Sequence, residues 1–106
     1  MFWGMMELLS SGRIVMLSKQ QKSAVIADIL AYPKAQLDGY FRGLFLYVTR
    51  DGLPLCRLRR ADNNRWYFAI YLWSSERYSE DEFGSFQEPL PLREHLDFAV
   101  RVMPGI

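Results

Sequence analysis

The sequence predicts an α+β fold: a helix, a three-stranded antiparallel meander and a second helix, in the order α-β-β-β-α, with the helices forming a single layer on the sheet. Three observations carry this expectation. Ser18-Lys19-Gln20-Gln21 has the form of a capping box ahead of an apolar stripe. Residues 41 to 74 are rich in β-branched and aromatic residues, and are broken at Asp51-Gly52 and again at Asp62-Asn63-Asn64, the residue types of hairpin turns. Pro89 and Pro91 then precede a second apolar stripe, and proline is well tolerated in the first turn of a helix.

The first helix is expected over about residues 19 to 31. Val25, Ile26, Ile29 and Leu30 lie on one stripe, and Pro33 stops the helix by biasing Tyr32 away from helical angles. Residues 34 to 40 read as a connector in which Gly39 permits a turn. Residues 1 to 17 read as an N-terminal extension, with a single domain over 18 to 106. They contain Phe2 and Trp3 but neither a basic lead nor a long apolar centre, so they do not resemble a secretory signal. No run approaches the roughly 20 apolar residues of a membrane span. Deleting residues 1 to 15 is therefore expected to cost less than about 1 kcal/mol, as changes away from core features do. A large drop in melting temperature would show that Phe2 and Trp3 belong to the core.

If Arg50 and Leu53 flank a two-residue turn, a regular ladder sets Val48 opposite Leu55, Leu46 opposite Arg57 and Leu44 opposite Arg59. On the other surface Tyr47 meets Cys56 and Phe45 meets Leu58. One face then carries Leu44, Leu46, Val48, Leu53, Leu55, Trp66, Phe68, Ile70 and Leu72, with Arg57 and Arg59 toward one end. The other carries Phe45, Tyr47, Cys56, Leu58, Tyr67, Ala69, Tyr71 and Trp73. A bulge or an odd-length loop would swap these assignments. Neither face is polar enough to be left in water. The small pair Cys56 and Ala69 suggests that the helices cover the aromatic face, which would leave the leucine-rich face to a second copy or another protein.

Residues 74 to 88 read as a long acidic loop with one helical turn at 79 to 82. A second helix follows Pro91, with Leu92, Leu96, Ala99, Val100 and Met103 on one face, Asp97 within reach of Arg101, and Pro104-Gly105 as its stop.

Over about residues 18 to 103 this order resembles the double-stranded RNA-binding domain, which implies two helices on one face of the sheet. In that family lysines at the start of the second helix hold phosphates. The matching stretch here is Pro91-Leu92-Arg93-Glu94 in acidic surroundings, so the resemblance carries a fold and no site residues.

A chain of 106 residues with net charge +1 is one domain's worth. Cys56 and His95 are the sole cysteine and histidine, which excludes an internal disulfide and any multi-histidine metal site. A lone cysteine suits a reducing compartment, hence a cytoplasmic location. No catalytic, cofactor or metal motif is present, and the expectation leans away from an enzyme. The charge is unevenly spread. Residues 39 to 75 are basic through six arginines, and residues 76 to 97 are acidic through Glu76, Glu80, Asp81, Glu82, Glu88, Glu94 and Asp97.

The candidate binding surface is Arg57, Arg59 and Arg60 with Arg65, Trp66 and Tyr67, since guanidinium groups among aromatic rings suit phosphates and stacked bases. The same arginines could instead flatten on aromatic neighbours and pair with the acidic segment. The leading expectation is a small non-enzymatic protein-interaction module, a homodimer or a binder of another protein, associating through an apolar sheet face without cofactor. The alternative is a nucleic-acid-binding domain that uses these arginines and the aromatic sheet surface.

Overall fold

The computed structural model describes residues 16–79 and 88–102. It is α+β, with an N-terminal helix, an antiparallel meander sheet and a C-terminal helix packed on that sheet. Helix α1 spans Lys19–Leu30 and α2 spans Leu92–Val102. The strands are β1 Leu37–Arg42, β2 Phe45–Arg50, β3 Leu53–Arg60, β4 Arg65–Leu72, β5 Arg77–Ser79 and β6 Leu90–Pro91. Their order is β1-β2-β3-β4-β5, and β6 also pairs with β4.

Among the described residues the sheet therefore has six strands where three were expected. The run 41 to 50 is not one strand: it is folded at Gly43-Leu44, with Gly43 at φ 61°, into the hairpin β1-β2. The supposed connector supplies most of β1. Gly39 makes no turn there; it lies in the strand beneath α1, where an added Cβ would sit 3.0 Å from the Ile29 Cδ1. At the other side, Arg77 to Ser79 pair with Leu72 to Ile70, and Leu90-Pro91 pair with Trp66-Arg65, on the same edge of β4. The helical turn anticipated at 79 to 82 falls outside the described residues, apart from Ser79, which is in β5.

The capping box forms as the sequence implied. The Gln21 backbone N–H donates to Ser18 Oγ at 3.1 Å, and the Ser18 N–H donates to Gln21 Oε1 at 2.8 Å. Asp97 pairs with Arg93, one turn earlier, while the expected partner Arg101 lies 5.7 Å from the Phe98 ring centre. Asp97 accepts from Arg93 Nε at 3.2 Å and from the Tyr32 hydroxyl at 2.7 Å, with Lys34 at 4.0 Å. Tyr32 follows α1, so this bond ties the two helices together. Burial, and then the Asp97 carboxylate, push the Tyr32 hydroxyl up to about 12. The Tyr32 bond, together with Arg93, holds the Asp97 carboxyl below its usual range.

The first hairpin turns at Asp51-Gly52, both with positive φ, and Arg50 faces Leu53 as expected. After Thr49 opposite Pro54 the ladder then slips. Val48 faces Cys56, Leu46 faces Leu58, Tyr47 faces Arg57 and Phe45 faces Arg59. One extra residue in β3 makes this bulge, so that Leu55 and Cys56 are both buried on the side of Val48. The regular register would have placed Arg57 and Arg59 on the apolar face. A charge left there without a partner costs several kcal/mol, whereas the bulge buries Leu58 and turns both guanidiniums outward. The link from Arg60 to Trp66 has five residues, an odd number, and so restores the expected alternation in β4. Two odd shifts cancel, and only β3 exchanges its faces.

The core consists of Leu37, Leu46, Val48, Leu55, Cys56, Leu58, Trp66, Phe68 and Ile70 from the sheet with Ile29, Tyr32, Leu96 and Ala99 from and beside the helices. Both helices thus cover the leucine-rich face, not the aromatic one. This removes the ground on which self-association through that face was expected. His95 is buried here as well. Its ring lies flat on Phe68 at 5.0 Å and 5°, and its Nε2–H donates to the Trp66 carbonyl at 2.6 Å.

Candidate binding face of the sheet

The face that the helices leave open is built by the alternation of β1 to β5. One rung across the ladder reads Arg42, Phe45, Arg59, Tyr67, and the next reads Tyr40, Tyr47, Arg57, Ala69. Tyr71 opposite Tyr78 continues it toward β5. Among the described residues no helix lies over this surface. Ala69 is nonetheless only 2% exposed, because its neighbours are large: Arg57 across the ladder, and Tyr67 and Tyr71 along its own strand.

The side chains are ordered against one another. The Arg57 guanidinium lies 4.3 Å from the Phe45 ring centre and 5.2 Å from that of Tyr78, and Arg59 lies 4.7 Å from Tyr67. A guanidinium stacked in this way loses contact with water on its flat face. The rings also form a continuous track. Tyr40 stacks on Tyr47 at 5.3 Å, Tyr47 meets Tyr78 at 5.5 Å, Tyr78 meets Tyr71 at 5.0 Å, and Tyr71 meets Trp73 at 5.2 Å. These spacings are those of favourable stacked and edge-on pairs. The two ends are open, with Tyr40 51% and Trp73 45% exposed. In the middle, burial and then the neighbouring tyrosines push the Tyr78 hydroxyl up to about 12, so it stays neutral.

The six residues singled out from the sequence do not converge. Arg57, Arg59 and Tyr67 share the open face. Arg60 and Trp66 face each other on the opposite surface, where Trp66 is 2% exposed in the core and Arg60 lies 5.1 Å over its ring. Arg60 also donates to the Asn64 side chain, and it lines a shallow hollow with Lys22, Phe41 and Leu44. Arg65 is exposed where β4 begins, with Nη1 3.5 Å from the Pro89 carbonyl. Sequence reading missed Tyr40 and Tyr78, which it had placed in a connector and a loop. The signal was present in Leu37, Gly39 and Phe41 alternating with Asp38, Tyr40 and Arg42, the period of a strand.

Cys56 is fully buried, and burial raises its thiol well above its ordinary range, so it is no nucleophile as it stands. Among the described residues no group of three or more His, Cys, Asp or Glu side chains converges to hold a metal ion. No helix of the described residues is long and apolar enough to cross a membrane. No family model matches the chain, and neither a curated protein nor a solved structure matches it significantly.

Proposed function

We propose that this protein is a non-enzymatic binding module that engages a macromolecular partner through the open face of its sheet. One observation carries the reading: arginine, tyrosine, phenylalanine and tryptophan side chains are gathered on a single face, outside the core, in mutual contact. These residue types contribute most to binding energy at interfaces, since large rigid rings bury much area for little lost entropy and arginine joins charge to a stacking surface. A fold needing only stability gains little from exposing them, and an exposed aromatic patch is a usual mark of an interaction site.

The test is a photocrosslinking amino acid at the two open ends, Tyr40→p-benzoylphenylalanine and Trp73→p-benzoylphenylalanine, in the native cells. Both variants are expected to keep the parent melting temperature and to form a covalent adduct that Arg59→Glu in the same chain abolishes. The same residue at Ala24, exposed on α1, is expected to form none. An adduct of twice the chain mass would identify the partner as a second copy. Folded variants that give no adduct from either end would overturn the proposal.

A further inference from the structure

We infer that this protein forms a two-fold dimer by pairing β1 with the β1 of a second copy, antiparallel and with Tyr40 on the dyad. The edge of the sheet is a surface separate from its open face, and this pairing does not depend on what that face binds.

β1 ends the strand order on one side, and among the described residues no strand pairs with its outer edge. Such an edge is a template for a further strand. Its hydrogen-bonding phase is fixed by β2. The hairpin turns at Gly43-Leu44 with Arg42 facing Phe45 across two residues, so these two exchange both backbone bonds. The Gln36 carbonyl accepts from the Asp51 N–H at 3.2 Å in the same phase. Asp38, Tyr40 and Arg42 therefore spend their backbone groups on β2, while Leu37, Gly39 and Phe41 turn theirs outward. The Gly39 N–H is met there by the carboxylate of Asp38, at 2.7 Å.

An antiparallel partner must match outward-turned residues with outward-turned residues, which leaves few registers, and the side chains choose among them. Pairing β1 with itself about Tyr40 sets Asp38 opposite the partner's Arg42, and Arg42 opposite the partner's Asp38. Both are pairs of the kind that exchange no backbone bonds, where side chains stand closest, and both lie on the open face, where Asp38 and Arg42 are exposed. On the helix-covered side the same register sets each Phe41 opposite the partner's Gly39, so no two large side chains collide. Sliding the partner one permitted step either way removes the charge pairs and sets Asp38 or Arg42 opposite Tyr40. Sliding it two steps brings like charges together. This self-complementarity selects a second copy over an unrelated strand. The dyad runs normal to the sheet, so the two open faces join into one with Tyr40, 51% exposed, at the centre.

The register is tested by Tyr40→Cys. Residues facing each other in such a pair have Cα atoms about 4.5 Å apart, within reach of a disulfide. Mild oxidation of Tyr40→Cys is expected to give a covalent dimer, and Arg42→Cys none, because the two copies of position 42 lie about 13 Å apart along the ladder. Cys56 is buried, and the parent chain serves as its control. By sedimentation equilibrium the parent dimer is expected to weaken at least about tenfold in Asp38→Arg and in Arg42→Asp, since the dyad turns each change into two like-charge contacts. The double variant Asp38→Arg/Arg42→Asp is expected to recover it, which separates a broken pair from a damaged fold. Arg59→Glu is expected to leave the dimer intact, and with it a twice-mass photoadduct from Tyr40→p-benzoylphenylalanine. A monomer at every soluble concentration, a disulfide from Arg42→Cys in place of Tyr40→Cys, or a dimer indifferent to Asp38→Arg overturns the inference. A dimer that Arg59→Glu abolishes would place self-association on the open face, overturning the edge pairing alone and leaving the binding module standing.

Discussion

Replacing Leu58 by aspartate should abolish cooperative unfolding, while replacing the adjacent Arg57 by leucine should leave stability within about 1 kcal/mol. Leu58 is fully buried opposite Leu46 and Phe68. A carboxylate there has no partner, and its burial costs several kcal/mol, comparable to the roughly 5–15 kcal/mol that holds a domain folded. Arg57 is half-buried on the open face, and its change to leucine removes two cation–π contacts worth about 0.5–1 kcal/mol each and returns part of that as apolar contact with the same rings. A ladder without the Leu55 bulge demands the reverse, with Arg57→Leu stabilising and Leu58→Asp tolerated. Urea denaturation of the two variants separates the registers, since an intact transition in Leu58→Asp is incompatible with the bulge.

Stability should also decline as the pH falls below about 6.5, the ordinary value of histidine. Burial lowers the pKa of His95, outweighing the bond to the Trp66 carbonyl and the nearby Glu94, which act in the opposite sense. In the unfolded chain the imidazole takes up a proton near its ordinary pKa, and in the folded protein it resists down to a lower pH. Between those two values the unfolded state binds more protons. Stability is therefore fully present above the unfolded pKa and is lost on acidification, at no more than about 1.4 kcal/mol per pH unit for one group. Because His95 is the sole histidine, His95→Gln should flatten this region while leaving a second decline at lower pH, where Asp97 is protonated. A profile between pH 5 and 7 unchanged by His95→Gln would show that protonation of this ring does not oppose folding. Chemical denaturation at a series of pH values measures both.

Much of the scaffold was legible because its signals are local. Ser18 and Gln21 bond each other across three residues, and Asp51-Gly52 satisfies its own turn geometry, so neither depends on distant parts of the chain. What escaped was set by tertiary pairing. Asp38 and Gly39 disfavour strands, and β1 exists because β2 offers it a ladder and α1 covers its glycine. The bulge escaped because Leu-Cys-Arg-Leu-Arg alternates acceptably in two registers. The deciding fact, that helices cover one face and exclude charge from it, is not local to that stretch. The candidate site was half legible for the same reason. Arg57, Arg59 and Tyr67 were named with Arg60 and Trp66 because they are neighbours in sequence, yet alternation sends Trp66 into the core with Phe68 and Ile70.

The burial of Cys56 gives the fold a built-in clock. Its side chain lies on the helix-covered face, on the rung of Val48 and Ile70, and is fully enclosed, so a thiol reagent must wait for the core between sheet and helices to open. When reclosing outpaces the reagent, the rate of modification equals the reagent's intrinsic rate scaled by the fraction of molecules open at any instant, and it rises with reagent concentration. When the reagent outpaces reclosing, the rate becomes the opening rate itself and ceases to depend on concentration. Titrating the reagent through that crossover would therefore time how often the core between sheet and helices opens in water, without denaturant.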